Sequence, residues 1–318
     1  MNKDATDHSK KPLLVSGTGP LAAGITVCLL QAGHPVAHCT TDPAADGETI
    51  ANLQQAHAKH GGAERSGQKL TLGGLPEKSS GYAAAIIAAP ECLATKRSRI
   101  AELEAWLPQE AIIAVNTECI ALSRLQEGAG HPARIIGANW AEPAHTTQFL
   151  EMIVNTACKE ACAHAFRDMA VGWGKDPYVV PGDEGIRSRM MSAMAREAFF
   201  LVSNGYASVE DIDRACRNDA GYYLPFAGNF RYMDLMGPYA YGLVMEDLNP
   251  GLDRSEGPPA WMDELLHQGH TGMDAGKGFY DYGEGEAEKW ASVFNRFSYR
   301  IRQLMHRYPF GDNEKTEP

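Results

Sequence analysis

Leu13-Leu14-Val15-Ser16-Gly17-Thr18-Gly19-Pro20-Leu21-Ala22-Ala23-Gly24-Ile25 is the stretch on which the reading of this chain turns. A short, mostly apolar strand runs into a glycine turn of the form GxGxxA. Beyond it Leu21, Ile25, Cys28 and Leu29 fall on one helical face, and Val36 begins a second strand. Between a strand and a helix, the first glycine permits the tight bend and the second lets a pyrophosphate approach the backbone. Ala22 then allows close packing of helix on sheet. The bland alternative is a glycine turn that only bends the chain.

The alternation continues outward from this unit. A helix is expected over residues 48–60, a strand near Leu70, an apolar strand over 83–89, and a helix with Leu93, Ile100, Leu103 and Trp106 inward. Strands over 111–115, 134–139, 149–154 and 178–180 follow, with a helix through Phe166 before the last. Apolar strands separated by helices imply a mainly parallel sheet covered on both faces. After Pro181-Gly182-Asp183 the period changes: Ile186, Met190, Met194, Ala198 and Leu201 keep helical spacing to a stop at Asn204-Gly205. Ser208 followed by Asp211 is an N-cap signal, and Trp290, Val293, Phe294, Phe297, Ile301 and Leu304 trace a long amphipathic stripe. The expected fold class is α/β, with a Rossmann-type, mostly parallel dinucleotide-binding domain over residues 12–182. An all-helical domain over 183–308 follows it, and 1–11 and 309–318 are expected to be frayed termini.

At 318 residues the chain is long enough for two domains with a small ligand between them. Forty acidic against 29 basic residues give a net charge of -11, which opposes nucleic acid and anionic membrane surfaces. Seven scattered cysteines argue for a reducing compartment, and neither a signal core nor 18 consecutive apolar residues occurs, so a cytoplasmic location is expected. Met190, Met191 and Met194 are read as core filler on a buried helix. Cys158, Cys162 and His164 are read as buried small residues rather than metal ligands, and no metal site is expected.

Several separated segments together resemble the 3-hydroxyacyl-CoA dehydrogenase family, including short relatives of the L-gulonate 3-dehydrogenase and lambda-crystallin type. They are Gly17-Thr18-Gly19 with Ala23-Gly24-Ile25, Pro90-Glu91 with Lys96, Asn116-Thr117, and Ala207-Ser208 with Glu210-Asp211-Ile212-Asp213. Gly228, Phe230, Asp234 and Gly237, and Gly272 with residues 276–282, extend the likeness over nearly the whole chain. The resemblance implies a Rossmann domain, a helical dimerisation domain and a homodimer. It also implies hydride transfer between NAD and a 3-hydroxyacyl-CoA or related hydroxyacid, within fatty-acid metabolism. Cofactor contacts are then expected at Gly17, Thr18, Gly19, Pro20, Leu21, Thr40, Asp42, Glu91, Lys96 and Asn116. Thr40 stands where the family's ribose-binding acid lies, Asp42 follows two residues late, and NADP is the alternative cofactor, although no Arg or Lys stands beside Thr40.

The family's catalytic His, oriented by a Glu twelve residues on, falls here on Asn139, with Glu151 as the orienting carboxylate. Glu118, Glu142 and Ser188 stand at family positions occupied by a Ser and two Asn. Asparagine neither takes nor gives a proton near neutral pH. Two accounts follow. In one, a dehydrogenase of altered specificity gathers Glu118, Glu142 and Glu151 near Trp140, where a cationic substrate would rest; His145 is then a displaced base, against the reading of an exposed loop histidine. In the other, a catalytically inactive relative binds a nucleotide or metabolite. Metal-assisted hydrolysis lacks a histidine pair at ligand spacing.

Overall fold

The computed structural model describes residues 11–60, 69–79 and 81–309, and its chain divides into two compact units after Ser188. The ends expected to fray lie, apart from Lys11 and Pro309, outside the described residues.

The first unit holds an eight-stranded sheet in the order β3-β2-β1-β4-β5-β6-β7-β8. Its strands are β1 (Leu13–Gly17), β2 (Val36–Cys39), β3 (Leu70–Gly73), β4 (Ala84–Ala88), β5 (Ile112–Val115), β6 (Ile135–Trp140), β7 (Phe149–Val154) and β8 (Asp176–Pro181). Every pairing is parallel except β6 with β7. Helices α1 (Pro20–Gln31), α2 (Pro43–Lys59), α3 (Leu93–Trp106), α4 (Leu122–Gln126) and α5 (Glu160–Gly172) complete this unit.

Period-two alternation divides the apolar residues between two cores. Leu13 and Val15 pack with Ile25, Leu29, Ile86, Ala114, Ile136, Met152 and Phe166 on one face. Leu14 packs with Ile87, Ile100, Leu103, Ile113, Val115 and Leu125 on the other. Both faces are therefore covered, as parallel strands with crossover helices require. Helix α2 starts at Pro43, five residues before the expected start at Glu48. Asp42 caps it by accepting from the Ala45 N–H at 3.0 Å, and proline suits the first helical position. That earlier turn brings Asp46 onto the buried side of the helix.

Helix α6 (Ile186–Ser203) starts in the first unit and continues in the second, which adds α7 (Val209–Ala215), α8 (Gly221–Met236), α9 (Pro238–Leu248), α10 (Ala260–His267) and α11 (Glu286–Arg307). Ser208 and Asp211 form a reciprocal capping box at the start of α7. The methionines of α6 correct one expectation: Met190, Met191 and Met194 are 52%, 47% and 50% exposed, not core filler. Trp290, Phe294 and Phe297 on α11 are also about half exposed, at 52%, 49% and 56%. Single helices of this unit carry more apolar surface than the unit by itself can enclose.

Close packing at the glycine turn has a measurable consequence. A Cβ on Gly17 would lie 2.1 Å from the carbonyl oxygen of Ala88 on the neighbouring strand. Gly17→Ala is expected to cost about 2 kcal/mol or more in stability, because backbone rather than a flexible side chain must yield. Urea unfolding followed by circular dichroism measures it, and an unchanged midpoint would refute the account.

Candidate functional site

Strand order reverses between β1 and β4, and in open sheets of this kind a ligand is received at the carboxyl ends of the strands there. The glycine turn stands at that point. Gly19 adopts φ +96°, and a Cβ on it would meet nothing within 4 Å, so the turn faces open space where a pyrophosphate can approach. Pro20 opens α1, and Thr18 bonds across to the end of β2, its hydroxyl 3.0 Å from those of Thr40 and Thr41. These features fit a dinucleotide. The Gly19 N–H, however, donates to Asp46 at 2.9 Å, and the Thr40 hydroxyl donates to the same carboxylate at 2.5 Å.

Four of the other residues expected near a cofactor act as structural members. Lys96 is fully buried, and its ammonium donates to the carbonyls of Ala89 and Asn116 and pairs with Glu91 at 2.9 Å. Glu91 accepts from the N–H groups of Glu118, Cys119 and Ile120 at 3.0, 2.9 and 3.0 Å. Burial alone would raise the Glu91 carboxyl, but the Cys119 N–H and Lys96 outweigh it and hold the group below its ordinary range. The Asn116 side chain accepts from the Trp140 N–H at 2.8 Å, and Asp42 is the cap of α2. The head of Lys96 is thus enclosed by protein acceptors.

At the end of β6, Asn139 is wholly buried and held on two sides. Its Oδ1 accepts from the Thr117 N–H at 2.7 Å, and its Nδ2 donates to Glu151 Oε1 at 3.0 Å. Antiparallel pairing of β6 with β7 sets Asn139 directly opposite Glu151, which explains the pairing of residues twelve apart. Glu151, itself fully buried, also accepts from the Tyr178 hydroxyl at 2.9 Å and from the N–H groups of Ile186 and Arg187 at 2.7 and 3.1 Å. A carboxylate on β7 thus satisfies the opening turn of α6, in place of a local cap. Burial and the Glu151 carboxylate push the Tyr178 phenol well up.

The three glutamates do not assemble into a site for a cation. Glu118 receives Arg187 Nη1 at 2.6 Å on both oxygens and the Ser188 hydroxyl at 2.7 Å. Glu151 is filled by the donors just described. Trp140 is 1% exposed, stacked on Trp173 at 5.9 Å with Lys175 Nζ 4.8 Å from its ring centroid. Its face is therefore occupied from within, and a substrate cation has no access to it. Glu142 differs from its companions. It is exposed, has no hydrogen-bond or ion-pair partner among the described residues, and desolvation raises its carboxyl above the ordinary range. His145 is 2% exposed, which corrects the reading of it as an exposed loop residue.

The sequence reading missed Arg187, Tyr178 and Asp46. Arg187 adjoins Ser188 and was legible only as a charge at a helix start. Asp46 had a signal: with Ile50 four residues on, it shares the inward face of α2, an acid on an apolar stripe. Among the described residues no group of three or more His, Cys, Asp or Glu side chains could hold a metal, and His164 stands exposed beside Glu160.

Comparison with known proteins places this geometry. The model of the 3-hydroxyacyl-CoA dehydrogenase NAD-binding domain matches residues 13–184, and that of the family's C-terminal domain matches residues 186–282. The chain is 24% identical over 218 residues to 5-formyl-3-hydroxy-2-methylpyridine 4-carboxylate 5-dehydrogenase of Mesorhizobium japonicum, covering 68% of this chain and 71% of that one. It is 27% identical over 321 residues to L-carnitine dehydrogenase of Bacillus cereus, covering 97% and 96%. A solved structure of a 5-formyl-3-hydroxy-2-methylpyridine 4-carboxylic acid 5-dehydrogenase, an NAD+-dependent dismutase, superposes with a TM-score of 0.86. It shares 21% identity over 93% of this chain and 98% of that one.

The Glu151 network can be broken from outside. A Cβ on Gly185 would lie 2.0 Å from Glu151 Oε1 and 3.1 Å from Asn139 Nδ2. Gly185→Ala is expected to lower stability by about 2–4 kcal/mol, since displacing the carboxylate strands buried donors. Thermal unfolding reads this out, and a midpoint within error of the parent would count against the network.

Proposed function

The chain belongs to the 3-hydroxyacyl-CoA dehydrogenase family and is an NAD-dependent oxidoreductase of that type; from this premise we propose that it oxidises a small hydroxyacid whose carboxylate is received by Arg187 and Ser188. The observation behind the proposal is that these two residues already hold a carboxylate, that of Glu118, through Arg187 contacts of 2.6 Å and a Ser188 contact of 2.7 Å. The family resemblance puts Glu118 and Ser188 at positions where Ser and Asn side chains hold the substrate oxygen. A substrate carboxylate offers the same two acceptor oxygens and exchanges for Glu118, which is 36% exposed in its side chain and can turn to water. A similar protein, the pyridine 4-carboxylate dehydrogenase of Mesorhizobium japonicum, is named for a small carboxylate. The reading replaces the cationic substrate considered from sequence.

Residues 12–182 serve as the dinucleotide-binding domain in this reading, with Gly17, Thr18, Gly19, Leu21 and Thr40 toward the cofactor, and residues 183–308 form the helical domain. When bound, NAD+ supplies the hydride acceptor for the carbinol carbon. The hydroxyl proton goes to Glu142, whose raised carboxyl and lack of partners suit it to accept one where Asn139 cannot. Asn139 and Glu151 hold β6, β7 and the start of α6 in place. The half-exposed apolar faces of α6 and α11 are covered by a second copy of the chain in a homodimer. The seven free cysteines suit a reducing, cytoplasmic setting.

A screen of NAD+ reduction over 3-hydroxyacyl-CoAs, small hydroxyacids and carnitine-like alcohols tests the substrate class, and turnover is expected with hydroxyacids. Arg187→Gln should raise KM at least about 10-fold, the scale of a lost charged hydrogen bond. Glu142→Gln should lower kcat about 10²- to 10⁴-fold and remove the acid limb of the pH profile, because the base works only when ionised and activity falls as pH drops through its raised pKa. Unchanged KM in the first variant, or unchanged kcat in the second, would sink the corresponding role. Light scattering should return twice the chain mass; a monomer would refute the dimer.

A further inference from the structure

We propose that Asp46 sets a preference for NAD(H) over NADP(H), acting through the hydroxyl of Thr40. The inference rests on the first unit being the NAD-binding domain. In Rossmann folds an acid at the end of the second strand accepts from the ribose hydroxyls. Here that place belongs to Thr40, and a threonine hydroxyl by itself can either donate or accept. Asp46 removes the choice. Thr40 Oγ1 donates to Asp46 Oδ2 at 2.5 Å, and the Asp42 N–H fills one of its lone pairs at 3.0 Å. What Thr40 has left to offer is an acceptor, the role an acid's oxygen plays toward ribose. Thr18 lies 3.0 Å from that oxygen and equally 3.0 Å from the hydroxyl of Thr41, so it can turn to Thr41 and leave Thr40 to the sugar.

The same carboxylate discriminates against a 2′-phosphate. Asp46 is 2% exposed, and its other oxygen is fixed by the Gly19 N–H at 2.9 Å, so its charge lies directly behind the Thr40 hydroxyl and cannot swing away. No Lys or Arg occurs between Val36 and Gln55 to neutralise a phosphate. Among the described residues His38 has Nε2 3.7 Å from Asp46 and is 1% exposed. Burial lowers the pKa of this ring, and its Nε2 is engaged with the Gly17 carbonyl at 2.9 Å and its Nδ1 with the Thr26 hydroxyl at 3.2 Å. Neutral and held, it offers a phosphate no charge. Asp46 is thus a positioning residue that makes a threonine behave as an acid toward ribose.

Calorimetric titration of the full chain with NADH and with NADPH tests the proposal. The parent should favour NADH by about 10- to 100-fold, the scale of one charge-assisted hydrogen bond. Asp46→Asn is isosteric: its oxygen can still accept from Gly19, but its amide must donate to Thr40 and turn that hydroxyl outward as a donor. The NADH to NADPH affinity ratio should then fall about 10-fold or more. Thr40→Ser should keep the parental ratio, whereas Thr40→Val should lose it, and adding Asp46→Asn to Thr40→Val should change the ratio little further. A purely structural Asp46 would weaken both cofactors by one factor, so an unchanged ratio in a folded Asp46→Asn protein overturns the proposal. If that variant does not fold, Thr40→Val decides by the same ratio. Failure of the parent to bind either dinucleotide would instead overturn the cofactor assignment, and this inference with it.

Discussion

The carboxylate of Glu151 is the contact on which the site depends. It is fully buried and has no cation against it among the described residues, so its burial is tolerable only because four donors converge on it: the Asn139 amide, the Tyr178 hydroxyl and two backbone N–H groups at the start of α6. Those donors come from β6, β8 and α6, while the acceptor comes from β7. One side chain therefore fixes the spacing of three strands and the point at which the first unit passes into a helix. Gly185 belongs to the same arrangement, since a Cβ at this position would meet the carboxylate at 2.0 Å.

The same dependence fixes the residue that stands opposite it on β6. Asn139 donates through its amide to Glu151 at 3.0 Å and uses its oxygen for the Thr117 N–H. Both ends of the amide are thereby engaged, and an amide neither takes nor gives a proton near neutral pH. The charges around it find separate partners. Glu118 meets Arg187 and Ser188, Glu91 meets Lys96 and a row of backbone N–H groups, and Glu142 has no such partner among the described residues.

A parallel logic governs the dinucleotide turn. The acid expected at the end of β2 is absent from the strand, but a carboxylate returns to the same neighbourhood from α2, one helical turn below the cap at Asp42. Packing of α2 against the glycine turn, rather than chain position, places it there. In both sites a buried acid gives neutral polar groups a fixed direction.

Periodicity and turn chemistry were enough to determine the sheet class, the glycine turn, the change to helices after Pro181-Gly182-Asp183 and the capping box at Ser208, because these depend on interactions within a few residues. Asn139 and Glu151, twelve apart in the chain, are set opposite each other by the register of β6 and β7. The sequence could not show that Lys96 and His145 are enclosed, that Trp140 is covered by Lys175, or that three glutamates diverge to different partners. Nor could it show that α6 exposes its methionines or that Asp46 stands behind Thr40. Those outcomes depend on which partner lies across a strand pair or a helix packing, at separations of 6 to 70 residues along the chain. A charge's neighbours in space, and not its neighbours in sequence, decide whether it is neutralised, buried or free to react.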